Sequence, residues 1–114
     1  MMPRRWIDVC ALDDILPSTG VCALVGAQQI AIVRVGAGQD VYALDNLDPF
    51  SRAFVLSRGI VGDRQGVPKI ASPIYKQSFD LRTGACFDDP AVRVPVHPAR
   101  VREGRVEVEL EVAS

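Results

Sequence analysis

The stretch that decides the reading of this chain is Ser72–Gly84, SPIYKQSFDLRTG. Its spacing is that of a metal-binding loop followed by a strand and a turn. With cysteine at the first place and histidine at the fourth it would read C-P-x-H-x-x-x-F-D-L-x-T-G, two donors on one loop stiffened by proline. Ser72 and Tyr75 stand there instead. Phe79 and Leu81 fall on one face of an expected strand, and Gly84 is free to take the positive φ of a tight turn. The frame of a site is present without its ligands.

A second half of the frame lies upstream in Tyr42–Phe50, YALDNLDPF. A Rieske [2Fe–2S] centre binds one iron through two cysteines and the other through two histidines. The ligands come as one Cys-x-His pair and one Cys-x-x-His pair. A first loop of the form N-x-C-P-H is matched here by NLDPF, so the chain resembles the Rieske-type ferredoxin family at both loops. The matching positions are Asp48 and Phe50 in the first loop, Ser72 and Tyr75 in the second. Phenylalanine has no lone pair, and a serine hydroxyl is a poor substitute for thiolate toward iron–sulfur iron. Cys10, Cys22 and Cys86 lie outside both loops, and the sole histidine, His97, comes after them. No cluster and no metal is expected, while the fold can outlive its metal.

Two longer segments carry a narrower resemblance: DNLDPFSRAFVLSRGIVGD and SPIYKQSFDLRTGACFDDP. In content, order and spacing they resemble the small subunit of assimilatory NAD(P)H-dependent nitrite reductase. The resemblance implies a cluster-free Rieske-like subunit with no cofactor and no catalytic residue of its own. It implies a large partner subunit holding FAD, an iron–sulfur cluster and sirohaem, which reduces nitrite to ammonium. The loop tips are then a candidate docking surface: Phe50 and Tyr75 as exposed aromatics, with Arg52, Arg58 and Lys76 beside them. Two other readings stand beside this one, a Rieske-type ferredoxin serving an oxygenase and a general interaction module.

Elsewhere short apolar runs alternate with turn residues, which argues for β structure. RRWIDVCAL, VCALV, QQIAIVRV, VYALD, KIASPIY and QSFDL read as strands, with hairpin turns at Gly26-Ala27 and at GAGQD. Asp13 is placed to cap a helical turn closed by Pro17 and Gly20, and PFSRAFVLSRG has room for a short helix. VGDRQGVP reads as a loop, and FDDPAVRVPVHPAR as extended chain. The last strand is the plainest. Val106, Val108, Leu110 and Val112 alternate with Arg105, Glu107, Glu109 and Glu111, one face for a core and the other for water. The expectation is one domain, residues 1–114, an all-β Rieske-like antiparallel sandwich or barrel of eight to ten strands with a small loop subdomain at the former cluster site.

The bulk numbers bound the function. A net charge of −1 without a basic block gives no electrostatic case for nucleic acid or an anionic membrane. The longest apolar run, VCALVGA, is far short of the ~20 residues that span a bilayer. Three cysteines without C-x-x-C spacing fit reduced thiols, and the first residues have no apolar leader, so a cytoplasmic protein is expected. Cys10 and Cys22, within apolar strands, are expected to be buried, and Cys86, after a turn, partly exposed. Asp45 with Asp48, and Asp88 with Asp89, are read as turn-forming carboxylates rather than acid–base pairs. His97 is read as structural, G-A-G at Gly36–Gly38 as a hairpin turn, and Tyr42, Phe54, Phe79 and Phe87 as core.

Overall fold

The structure is a computed structural model that describes residues 3–111. Ten strands follow one another: β1 Arg4–Ala11, β2 Thr19–Val25, β3 Gln28–Val35, β4 Asp40–Asp45, β5 Ile60–Arg64, β6 Val67–Ala71, β7 Ser78–Asp80, β8 Val96–His97, β9 Ala99–Arg102 and β10 Arg105–Glu111. They form three antiparallel sheets, β1-β10-β9, β2-β3-β4-β8 and β5-β6-β7. This is the all-β architecture expected. Among the described residues helix is confined to two single turns of 3-10 type, Leu12–Asp14 and Leu56–Arg58, where two helical turns were expected. In the first, Asp14 rather than Asp13 accepts the Ala11 N–H.

The four-stranded sheet is central because its middle strands are apolar on both faces. Ile30, Ile32, Val41 and Ala43 point into one core, shared with Leu12, Ile15, Val106, Val108 and Leu110. Ala31, Val33 and Leu44 point into a second core with Leu56, Ile70, Phe79, Leu81, Cys86 and Val94. Runs such as IAIVRV and VYAL are the composition that a sheet covered on both sides requires. β10 buries Val106, Val108 and Leu110 as its alternation demands. On its polar face Arg105 pairs with Asp8 at 2.8 Å, Glu107 with Arg100 at 2.7 Å and Glu109 with Arg4 at 3.1 Å. Val112, assigned to the same apolar face, lies outside the described residues.

VGDRQGVP is a hairpin, not a loop. β5 and β6 pair from Ile60↔Ala71 to Arg64↔Val67, turning at Gln65 and Gly66 with φ of 53° and 86°. Two consecutive positive φ values give a turn whose twist matches paired strands. Gly62 and Pro68 obscured it. The small sheet so formed stands on the second core and carries the second of the two loops.

Candidate functional site

The site is built from one turn used three times. In Asp48–Ala53 the N–H of Asp48 donates to the Ala53 carbonyl at 2.9 Å, and the N–H of Arg52 donates back to the Asp48 carbonyl at 2.8 Å. Ser72–Gln77 repeats both bonds, Ser72 to Gln77 at 2.8 Å and Lys76 to Ser72 at 3.1 Å. Asp80–Ala85 repeats them again, at 2.9 and 2.7 Å. In each, the side-chain oxygen of the first residue accepts the N–H two residues on: Phe50 at 3.0 Å, Ile74 at 3.2 Å and Arg82 at 2.8 Å. The fifth residue is left-handed every time, Arg52 at φ 65°, Lys76 at 68° and Gly84 at 80°. Aspartate or serine opens such a turn because a short side-chain acceptor reaches its own backbone.

Asp48 and Ser72, the cysteine-equivalent positions, are fully buried and face each other. The Ser72 hydroxyl donates to Asp48 Oδ2 at 2.5 Å, and the Ser51 hydroxyl donates to the same oxygen at 2.9 Å. Burial works against a charged Asp48. Hydrogen bonds from Ser72, the Phe50 N–H and Ser51 more than offset it and hold the carboxyl below its ordinary value. Asp80, first residue of the third turn, is also held low: burial opposes ionisation, and Arg82 outweighs it through a fork at 3.3 and 3.2 Å.

The histidine-equivalent positions diverge. Phe50 is half-buried, its ring packed against Phe79 with centroids 6.2 Å apart. It is therefore not the exposed aromatic that the sequence suggested, because its side chain turns back onto the second core. Tyr75 is exposed at 60%, beside Ile74 at 44%. Arg52, Arg58 and Lys76 are exposed as expected. The exposed aromatic of the first loop is Phe54, at 55%, which was assigned to the core.

Sequence reasoning missed Asn46, which holds the first loop to the sheet. Its Oδ1 accepts the Ser57 N–H at 2.7 Å, and its Nδ2 donates to Gln29 Oε1 at 3.2 Å and to the Phe54 carbonyl at 3.1 Å. An asparagine two residues before the turn was the available signal. The other candidates resolve simply. Asp89 accepts the Ala91 N–H as a turn-forming carboxylate does. Asp88 instead reaches ten residues back to the Ser78 N–H of β7, and Asp45 ends β4 against His97, so neither of these two makes the local turn expected of it. His97 sits 2.7 Å from Asp45, joining β8 to β4. The cysteines exchange places: Cys22 is exposed, Cys86 buried and Cys10 intermediate. Tyr42 and Phe87 are half-buried, Phe87 under the Arg64 guanidinium at 5.2 Å.

A two-iron cluster does not fit these residues. Where thiolates would hold the inner iron, a carboxylate and a hydroxyl are bonded to each other, and Phe50 has no donor atom. Among the described residues no three His, Cys, Asp or Glu side chains converge as a metal site would require.

The family profile described as "Rieske-like [2Fe-2S] domain" matches residues 5–109. The chain belongs to that family. This Rieske-like domain is 46% identical over 104 residues to the nitrite reductase (NADH) small subunit of Escherichia coli K12, covering 91% of this chain and 96% of that one. It is 46% identical to part of the nitrite reductase [NAD(P)H] large subunit of Klebsiella oxytoca, where 90% of this chain matches 11% of that protein. The solved nitrite reductase [NAD(P)H] small subunit of Erwinia carotovora superposes with a TM-score of 0.80 at 48% identity, covering 96% of this chain and 84% of that one. The ferredoxin component of the Pseudomonas putida naphthalene 1,2-dioxygenase system is more distant, at 28% identity over 96% of this chain and 99% of its own.

Proposed function

We propose that this chain is the small subunit of an assimilatory NAD(P)H-dependent nitrite reductase, acting as one cytoplasmic domain that carries no redox centre. It docks its loop end on the large subunit and positions or stabilises it. FAD, an iron–sulfur cluster and sirohaem then belong to that partner, and so does the reduction of nitrite to ammonium. The observation that carries the reading is the Klebsiella oxytoca large subunit, which contains a segment similar to 90% of this chain. A domain joined to a catalytic body in one protein is a natural partner of that body when the two are separate chains.

The docking surface in this reading comprises Phe54, Ile74 and Tyr75 with Arg52, Arg58 and Lys76 around them. Phe50 supports it from beneath. Electron transfer through the chain is disfavoured, since the hydrogen-bonded Asp48 and Ser72 stand where the cysteine ligands of a ferredoxin's inner iron would be.

Co-expression with the large subunit tests the proposal. The wild-type chain is expected to co-purify with it, free of stoichiometric iron and acid-labile sulfide in an anaerobic preparation. Phe54→Ala with Tyr75→Ala is expected to lose the association. Visible absorption of a bound cluster in the small chain would instead establish the ferredoxin reading.

A further inference from the structure

The three copies of the turn differ at their left-handed position. The copy that faces the second core has Gly84 there, and the two at the loop end have Arg52 and Lys76. A Cβ disfavours this backbone conformation, and glycine is its natural occupant. Ser18, Gln65 and Glu103 also hold positive φ in this fold, so the conformation alone does not single out a side chain; what sets Arg52 and Lys76 apart is the turn they share. Here both side chains are cations, both are exposed, and both occupy the same place in matching turns.

The charge around them is one-sided. Across residues 46–58 and 72–79 the charged side chains are Asp48, Arg52, Arg58 and Lys76. The one acid, Asp48, is fully buried and turned toward Ser72. Among the described residues the ion pairs engage Arg4, Arg82, Arg100, Arg105 and His97, so none of these three cations is neutralised. Phe54, Ile74 and Tyr75 add exposed apolar surface in the same two segments. Unpaired cations beside aromatic and aliphatic side chains suit a partner surface that is acidic with an apolar centre.

We propose that Arg52 and Lys76 are a matched pair of contacts for a carboxylate-bearing patch on the nitrite reductase large subunit. The proposal rests on the reading that the large subunit is the partner. Holding each cation on a hydrogen-bonded turn fixes where the charge sits, so less freedom is lost on docking. The long-range field of the pair speeds encounter and fades with salt.

The test is binding of the full-length chain to purified large subunit, measured across salt concentrations, with R52G/K76G against wild type. Glycine relieves the left-handed backbone, so the variant is expected to melt at or above the wild-type temperature. Its affinity at low salt is expected to fall about tenfold or more, with a flatter salt dependence. R52Q/K76Q, which keeps the side-chain bulk and loses the charge, is expected to weaken binding likewise, and R52K/K76R to retain it. Unchanged affinity and salt slope in both charge-removed variants would overturn the proposal while leaving the partner intact. Failure of the wild-type chain to bind overturns both readings. Self-association of the chain abolished by R52G/K76G would assign this end to a second copy and overturn it as well.

Discussion

Ser72 donates its hydroxyl to Asp48 at 2.5 Å, joining two turns that are 24 residues apart in the chain. Both side chains are fully buried. A buried carboxylate without a cation is costly unless hydrogen bonds satisfy it. Here two hydroxyls and a backbone N–H do so. The bond therefore does mechanically what a cluster bridging the loops would do, holding the two loops at a fixed separation.

Ser72→Ala removes this bond and leaves Asp48 Oδ2 with Ser51 alone. Loss of a hydrogen bond to a buried charged group costs about 1.5–3 kcal/mol. Urea denaturation of the isolated variant is expected to show a loss in that range, with an unchanged denaturant slope.

Acid should weaken the same contact. Asp48 is held below its ordinary value because its hydrogen bonds outweigh the opposing effect of burial. A carboxyl with a depressed folded pKa contributes stability above its unfolded value, about 3.9, and loses it as pH falls through the folded value. Stability is thus expected to be flat from neutral pH down to about 5 and to fall below about pH 4. Asp48→Asn should flatten that decline, leaving a residual slope from Asp80 and Asp8, which are lowered in the same sense. An identical acid limb in the variant, measured by chemical denaturation, would remove Asp48 from the account.

The third turn makes a sharper demand. Gly84 has a φ of 80°, and a Cβ there would lie 1.9 Å from the Val94 carbonyl oxygen. The Val94 N–H also donates to the Gly84 carbonyl at 2.9 Å, so neither segment can retreat without losing that bond. Gly84→Ala is expected to cost about 3 kcal/mol or more, combining backbone strain with the clash. Thermal melting is the simplest measure.

Much of this was legible in the residues, and the illegible parts share a cause. The period-two run in Arg105–Glu111 and the paired D-P and S-P loops announced strands and turns by local chemistry alone. The equivalence of D-P-F-S-R, S-P-I-Y-K and D-L-R-T-G was also in the letters, since each begins with a short acceptor and ends on the left-handed residue. What failed depended on which way a strand faces. Cys22 reads as buried within an apolar strand and Cys86 as partly exposed after a turn, yet Cys22 lies on the outer face of the edge strand β2 and Cys86 in the second core. The β5–β6 hairpin was hidden because Pro68 and Gly62 argue against strands locally, whereas ladder partners on both sides of β6 settle the matter.

Thiol labelling should read that difference directly. Cys22 is exposed and is expected to react first with a neutral disulfide reagent. Cys86 is buried and should react only on unfolding. Cys10 is half-buried, and burial pushes its thiol up from the ordinary value, with Asp14 adding to the effect. Less thiolate at neutral pH makes it slower than Cys22 even where reagent can reach it. A Cys22→Ser variant should therefore lose the fast phase and keep the slow ones.

Phe50 and Phe54 differ in burial at the loop end, the first half-buried and the second exposed. Phe50 packs on Phe79, itself fully buried, and Phe54 exposes 55% of its surface. Truncating a fully buried phenylalanine costs about 3–5 kcal/mol, so the half-buried Phe50 is expected to cost about 2 kcal/mol on replacement by alanine. Phe54→Ala should change stability by no more than about 0.5 kcal/mol, as exposed sites do. Association with the large subunit should order them the other way. Phe54→Ala should weaken it in a chain that melts normally, whereas Phe50→Ala should weaken it only as far as its turn loosens, and the effect should shrink on cooling toward maximal stability. Equal losses of binding from both variants at matched folded fractions would place Phe50 in the contact surface after all, and the Phe50–Phe79 packing would then have to open on docking.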